Sequence, residues 1–151
     1  MNGPIQVKVK RMRAEAASFV PGYATGGSAG WDLQAAISAP LVIAPGETVM
    51  IPTGIALEIP RSNLAGLVFA RSGLAAKHGL CLANGVGVID SDYRGEIFCA
   101  MVNIGKKEYT IKPGDRLAQL VFVPVERAEP VFVAALEETE RGAGGFGSTG
   151  I

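Results

Sequence analysis

At 151 residues, 48% of them apolar, the chain has the size of one domain with a core of its own. Lysine plus arginine equal aspartate plus glutamate at 14 each, which excludes the basic excess of a nucleic-acid surface. No apolar run is long enough to span a bilayer, no basic-then-apolar leader opens the chain, and two cysteines make neither a disulfide framework nor a metal cluster.

The expectation is therefore a soluble, cytoplasmic protein with no membrane or nucleic-acid partner, in which an anionic ligand is held by a few placed groups. Glycine is the compositional outlier: its 20 positions are about 13% of the chain against a usual ~7%, which implies many turns and close backbone approaches.

Taken in order, the elements are short strands divided by turn signals. Ile5 to Lys10 alternates apolar and polar residues, the period of a half-buried strand. Asp32 and Gln34 share a face of the Trp31-Asp32-Leu33-Gln34 strand, where Asp32 could be a plain surface residue. Glu47 to Ile51 follows an Ala-Pro-Gly turn, and Gly54 to Glu58 comes soon after. Leu64 to Ala70, Cys81 to Ile89, Glu96 to Asn103 and Leu117 to Val125 are further apolar runs, the last preceded by a Lys-Pro-Gly-Asp turn at 112–115. One short helix is expected at Ser72 to Lys77, capped by Ser72 or a neighbour. Strands at this spacing indicate an all-β sandwich, barrel or jelly roll. Five glycines among residues 141–151 cannot build a core, so this tail is mobile unless a ligand orders it. Arg141 and Phe146 within it suit phosphate pairing and base stacking.

Three places carry chemistry. Arg71-Ser72-Gly73 stands where a strand gives way to the helix, and open N–H groups with a guanidinium and a hydroxyl suit a phosphate. On its own that tripeptide is more often a surface arginine with an ordinary helix cap. Val86 to Glu96 reads as two strands meeting at a polar turn, a β-hairpin, with Asp90 at the end of an apolar run where a shielded carboxylate could deprotonate water. Asn84 offers a donor and an acceptor that match the imide edge of uracil, and Tyr93 can pack on a sugar. Gln119, on the strand face of Leu117, Val121 and Val123, needs a polar partner if buried. His78 has no nucleophile or acid at a catalytic spacing and reads as structural. Cys81 and Cys99 read as buried small hydrophobes.

Five segments together resemble the trimeric dUTPase family. They are Ala29 to Leu33, Arg71 to Ala75, Gly87 to Glu96, Gly114 to Gln119 and Arg141 to Gly150, in that order. The resemblance runs from about residue 24 to the end, and the third and fifth segments carry most of it.

It implies a distorted jelly-roll β barrel over residues 1–140, assembled as a homotrimer with sites at subunit interfaces. Residues 141–151 would be a glycine-rich lid. The implied activity is hydrolysis of dUTP to dUMP and pyrophosphate by water attack at the α-phosphorus, which supplies dUMP for thymidylate synthesis and keeps uracil out of DNA. Asp90 would orient that water. Asn84 would read uracil with backbone groups of Val88, Ile89 and Phe98, and Tyr93 would exclude a ribose 2′-hydroxyl. Arg71, Ser72, Gly73 and Gln119 would hold the phosphates. Arg141, Ser148 and Thr149 would close over the γ-phosphate, with Phe146 on the base. The implied cofactor is Mg²⁺, bound by phosphate oxygens and water with Asp32 as an outer-sphere contact.

Two positions depart from the family pattern: Ala70 where proline is common, and Trp31 where tyrosine or a smaller apolar residue is commoner. The alternatives are a dCTP deaminase of the same fold, whose glutamate motif is not recognisable here, and a nucleotide-binding module without turnover.

Overall fold

The computed structural model describes residues 3–147. Because the apolar residues recur in short runs between turn formers, the described residues build eleven short strands and one α-helix. Strands β2 (Trp31–Gln34), β11 (Arg116–Pro124), β6 (Leu64–Ala70) and β8 (Val86–Ile89) form a four-stranded antiparallel sheet in that order. A second sheet runs β4 (Thr48–Pro52), β9 (Phe98–Asn103), β7 (Leu80–Leu82). Two pairs complete the fold, β1 (Lys8–Arg11) with β5 (Ile55–Glu58) and β10 (Tyr109–Ile111) with β3 (Leu41–Ile43). The all-β expectation with a single short helix therefore holds.

Every sheet feeds one core. Leu33, Val68 and Leu120 meet Ile51, Leu80, Leu82 and Met101 with Ile43, Leu57 and Ile111 in one buried cluster. Each such side chain contributes roughly 1.5–3 kcal/mol by leaving water. Asn103, fully buried, donates from Nδ2 to the carbonyls of Ile43 (2.9 Å) and Lys107 (2.8 Å) and accepts from the Gly105 N–H (2.9 Å). It thereby ties the end of β9 to β3, where no backbone ladder joins them.

Several local expectations change. The first strand begins at Lys8, not Ile5, and all four of its residues are exposed, because β1 lies on the outside and pairs only with β5. Cys81 and its neighbours do not run straight through to Ile89. The Ala83–Gly85 turn splits the run into β7 and β8, which join different sheets. The weak apolar triplets of β3 and β10 are strands only because they pair with each other. The helix α1 (Ser72–His78) is where it was expected, one residue longer, and of the two cap options it is the neighbour of Ser72 that serves. Arg71 is the N-cap residue and makes no side-chain capping bond. The helix ends at Gly79, whose φ of 70° lies in the left-handed region and whose N–H bonds Ala75 and Leu74 carbonyls. A Cβ there would overlap the Gly105 backbone.

Candidate active site

The splitting of β7 from β8 creates the first half of the site. β8 pairs with β6, while β9 pairs with β4 and β7, so the two strands flanking the 90–95 turn are not bonded to each other as a hairpin ladder. They splay instead, and a cleft of about 300 Å³ opens near them, lined by Asn84, Val88, Ile89, Asp90, Tyr93 and Phe98. Six of the sequence-predicted residues thus share one cavity. Its apolar walls are completed by Met50 from β4, Val68 from β6 and Ala100 from β9, none of which the sequence reading picked out.

Asp90 sits at the lip of this cleft and is exposed, which corrects the expectation of a shielded carboxylate within a single chain. Its backbone carbonyl accepts from the Tyr93 N–H at 3.1 Å and so closes the turn. Tyr93 donates its hydroxyl to the Glu96 carbonyl at 3.0 Å, which holds the ring over the turn. Glu96 in turn accepts from Arg13 Nε at 2.6 Å and from the Gly54 N–H at 3.0 Å. The bond to Glu96 raises the Arg13 pKa above its ordinary value. Arg13 also lies over the Phe98 ring, 5.7 Å from its centroid.

The second half is a polar cleft of about 460 Å³ that brings together Asp32, Arg71, Ser72, Gly73 and Gln119. Strand register explains the grouping: Gln119 of β11 lies opposite Asp32 of β2 and Phe69 of β6, and Arg71 follows the end of β6 directly. A bulge at Leu117 breaks the simple alternation, so Leu117 and Ala118 are both buried while Gln119 is only half-buried. The Gln119 amide donates to the Ala70 carbonyl at 3.3 Å. Asp32 is no plain surface residue. One carboxylate oxygen lies 3.4 Å from Arg71 Nε and the other 3.4 Å from Arg116 Nη1.

Arg116 and Lys77 share this cleft and were missed as candidates. Arg116 was within reach of the sequence, since it lies inside the Gly114 to Gln119 segment. His78 packs against Tyr109 with the rings tilted and their centroids 4.7 Å apart. Trp31 meets Phe122 edge-on at 4.9 Å, so the bulky ring is absorbed by packing and leaves Asp32 in place.

From Glu126 onward no described residue belongs to a helix or strand, and nearly all are exposed. Arg141 donates to the Gly144 carbonyl at 3.0 Å, and Phe146 is fully exposed with φ 49°. These two are not brought to either cleft. Ser148 and Thr149 lie outside the described residues. Among the described residues, no three His, Cys, Asp or Glu side chains cluster as a metal cage. No helix of the described residues is long and apolar enough to cross a membrane.

The described residues thus form an apolar slot holding an amide and a carboxylate, and a separate arginine-bearing cleft past the end of β6. The dUTPase family profile matches residues 17–150. The chain belongs to the dUTPase family.

As a dUTPase it is 55% identical over 147 residues to the deoxyuridine 5′-triphosphate nucleotidohydrolase of Desulfitobacterium hafniense, covering 97% of each chain. It is 51% identical over 146 residues to that of Sodalis glossinidius, with the same coverage. The solved Staphylococcus bacteriophage 80alpha dUTPase with dUPNHPP is similar at a TM-score of 0.87 and 28% identity, over 97% of this chain and 99% of that one. A phage phi11 dUTPase variant described with a structural Mg(II) ion gives 0.78 and 26%, over 88% and 99%. This dUTPase thus shares the jelly-roll-like fold of its relatives, and the deaminase alternative finds no support among them.

Proposed function

We infer that this dUTPase hydrolyses dUTP to dUMP and pyrophosphate, with Asp90 accepting the proton of the attacking water. The water oxygen forms a bond to the α-phosphorus as the bond to the bridging oxygen breaks, and pyrophosphate leaves. No covalent enzyme intermediate is needed. The observation that carries this reading is the first cleft, where an amide able to pair with an imide and a carboxylate able to take a proton line one apolar slot. Asn84 pairs with the uracil edge, and backbone groups of Val88, Ile89 and Phe98 complete its outline. Tyr93 faces the sugar.

Arg71, Ser72, Gly73 and Gln119 receive the phosphates. A dissociated pyrophosphate carries several negative charges, and the guanidiniums in the second cleft offset their build-up. The donor set fits Mg²⁺ held through phosphate oxygens and water, with Asp32 touching a bound water at most, since Asp32 already faces two guanidiniums. Bound there, the ion would neutralise phosphate charge.

The register of β6 bears on assembly. Ile89 pairs with Gly66, so Asp90 lies near Ala65, whereas Arg71 follows Ala70 at the other end of the strand. Six residue steps separate Ala65 from Arg71, about 20 Å at ~3.3 Å per step. A reacting α-phosphorus and its neighbouring phosphates span far less. A productive site therefore joins Asp90 of one copy to Arg71 of another, which supports the homotrimer with sites between subunits. We assign residues 1–140 to the barrel unit and 141–151 to an arm in which Arg141, Phe146, Ser148 and Thr149 close over bound nucleotide.

Asp90→Asn tests the chemistry. It keeps the size of the side chain but removes the base, so kcat for dUTP should fall by roughly 10²–10⁴ while nucleotide binding is retained. Unchanged turnover would remove Asp90 from the mechanism.

A further inference from the structure

Next to Tyr93 the chain has a glycine whose space is already taken. A Cβ on Gly95 would lie 2.6 Å from Cζ and 3.0 Å from Cε2 of the Tyr93 ring, closer than van der Waals contact allows. The backbone there does not demand glycine, because Gly95 is not among the residues with positive φ. The demand comes from the ring. Tyr93 is 44% exposed, so a methyl at position 95 would be relieved by the ring swinging into solvent and not by movement of the core. Swinging out would also break its hydroxyl bond to the Glu96 carbonyl. Glu96 itself is anchored from outside the turn by Arg13 and the Gly54 N–H.

We propose that Gly95 is a specificity-determining position for the sugar: its missing side chain lets the Tyr93 ring lie against the turn, and the Arg13–Glu96 pair holds the carbonyl that fixes it there. Tyr93 so held walls the cleft beside Asp90, where a deoxyribose fits and an added 2′-hydroxyl collides. The inference rests on the reading of Tyr93 as the sugar wall. Gly95 and Arg13 act through Tyr93 and are positioning residues.

The test compares kcat/KM for dUTP and UTP in the wild type, Gly95→Ala and Tyr93→Ala. Gly95→Ala should lower the preference for dUTP over UTP by roughly tenfold or more, with a melting temperature close to that of the wild type. Tyr93→Ala should lower it too. If Tyr93→Ala relaxes the preference and folded Gly95→Ala does not, the role of Gly95 is wrong while the sugar wall stands. If neither variant changes the ratio, the sugar wall fails and the proposal with it. Should Gly95→Ala not fold, Arg13→Gln removes a donor to the Glu96 carboxylate and so loosens the residue whose carbonyl holds Tyr93. A relaxed ratio then supports the brace, and an unchanged one overturns it.

Discussion

Asp90 and Asp32 are the same side chain in two opposite settings. Asp90 stands exposed at the lip of an apolar slot, whereas Asp32 is held between two guanidiniums and is three-quarters covered. The first is the base of the proposed mechanism, and the second lies against Arg71 and Arg116. The sequence pointed to both positions, yet it misjudged their surroundings, because the shielding of a carboxylate depends on which strands come to lie beside it. Asn103 shows the same limit from the other side. Nothing in Met-Val-Asn-Ile-Gly announces a buried polar hub, but its three hydrogen bonds replace a missing ladder. Asn103→Ala should lower the free energy of unfolding by about 3 kcal/mol, since it leaves buried backbone groups unpaired. Urea denaturation would show this; a change near zero would mean that water takes the place of the amide.

Among the elements, β6 and α1 were readable almost to the residue, because a continuous apolar run and a clear break define them. β3 and β10 were not, since three residues carry no usable period and each exists only through its partner. The hairpin expectation failed for a related reason. Adjacent apolar runs suggest pairing, but β8 and β9 each find a different sheet, and their separation produces the cleft. Cys99 on β9 adds a prediction. Burial pushes its thiol up from the ordinary 9.0 to about 12, so it stays protonated where an unfolded thiol ionises. The stability this contributes is complete below pH 9 and is lost as the pH rises toward 12. In a thiol-reagent titration of the native protein at pH 8, half-buried Cys81 should react ahead of Cys99, which should be modified only on unfolding. Equal reaction of both would show that β9 opens in the native state. The arm belongs to this scale too: truncation before Arg141 should abolish turnover and leave the melting temperature unchanged. Normal dUTP hydrolysis by the truncated chain would rule out the lid.

At the scale of the whole molecule, Asp90 of the first cleft and Arg71 of the second lie toward opposite ends of β6. The five segments in order made the chemistry legible, but the proposal that its halves come from different copies rests on strand register, which no single-sequence pattern shows. Two inactive variants should therefore rescue each other. Asp90→Asn and Arg71→Ala chains, unfolded together and refolded as a mixture, should regain dUTPase activity that neither has alone, because some interfaces pair an intact Asp90 with an intact Arg71. Failure to regain activity in a mixture shown by sedimentation to contain mixed trimers would place both residues in one copy. The most direct measurement is hydrolysis of dUTP in ¹⁸O-labelled water with mass analysis of both products. Attack at the α-phosphorus by water that passes its proton to Asp90 should put the label in dUMP and leave pyrophosphate unlabelled; label in pyrophosphate would contradict it.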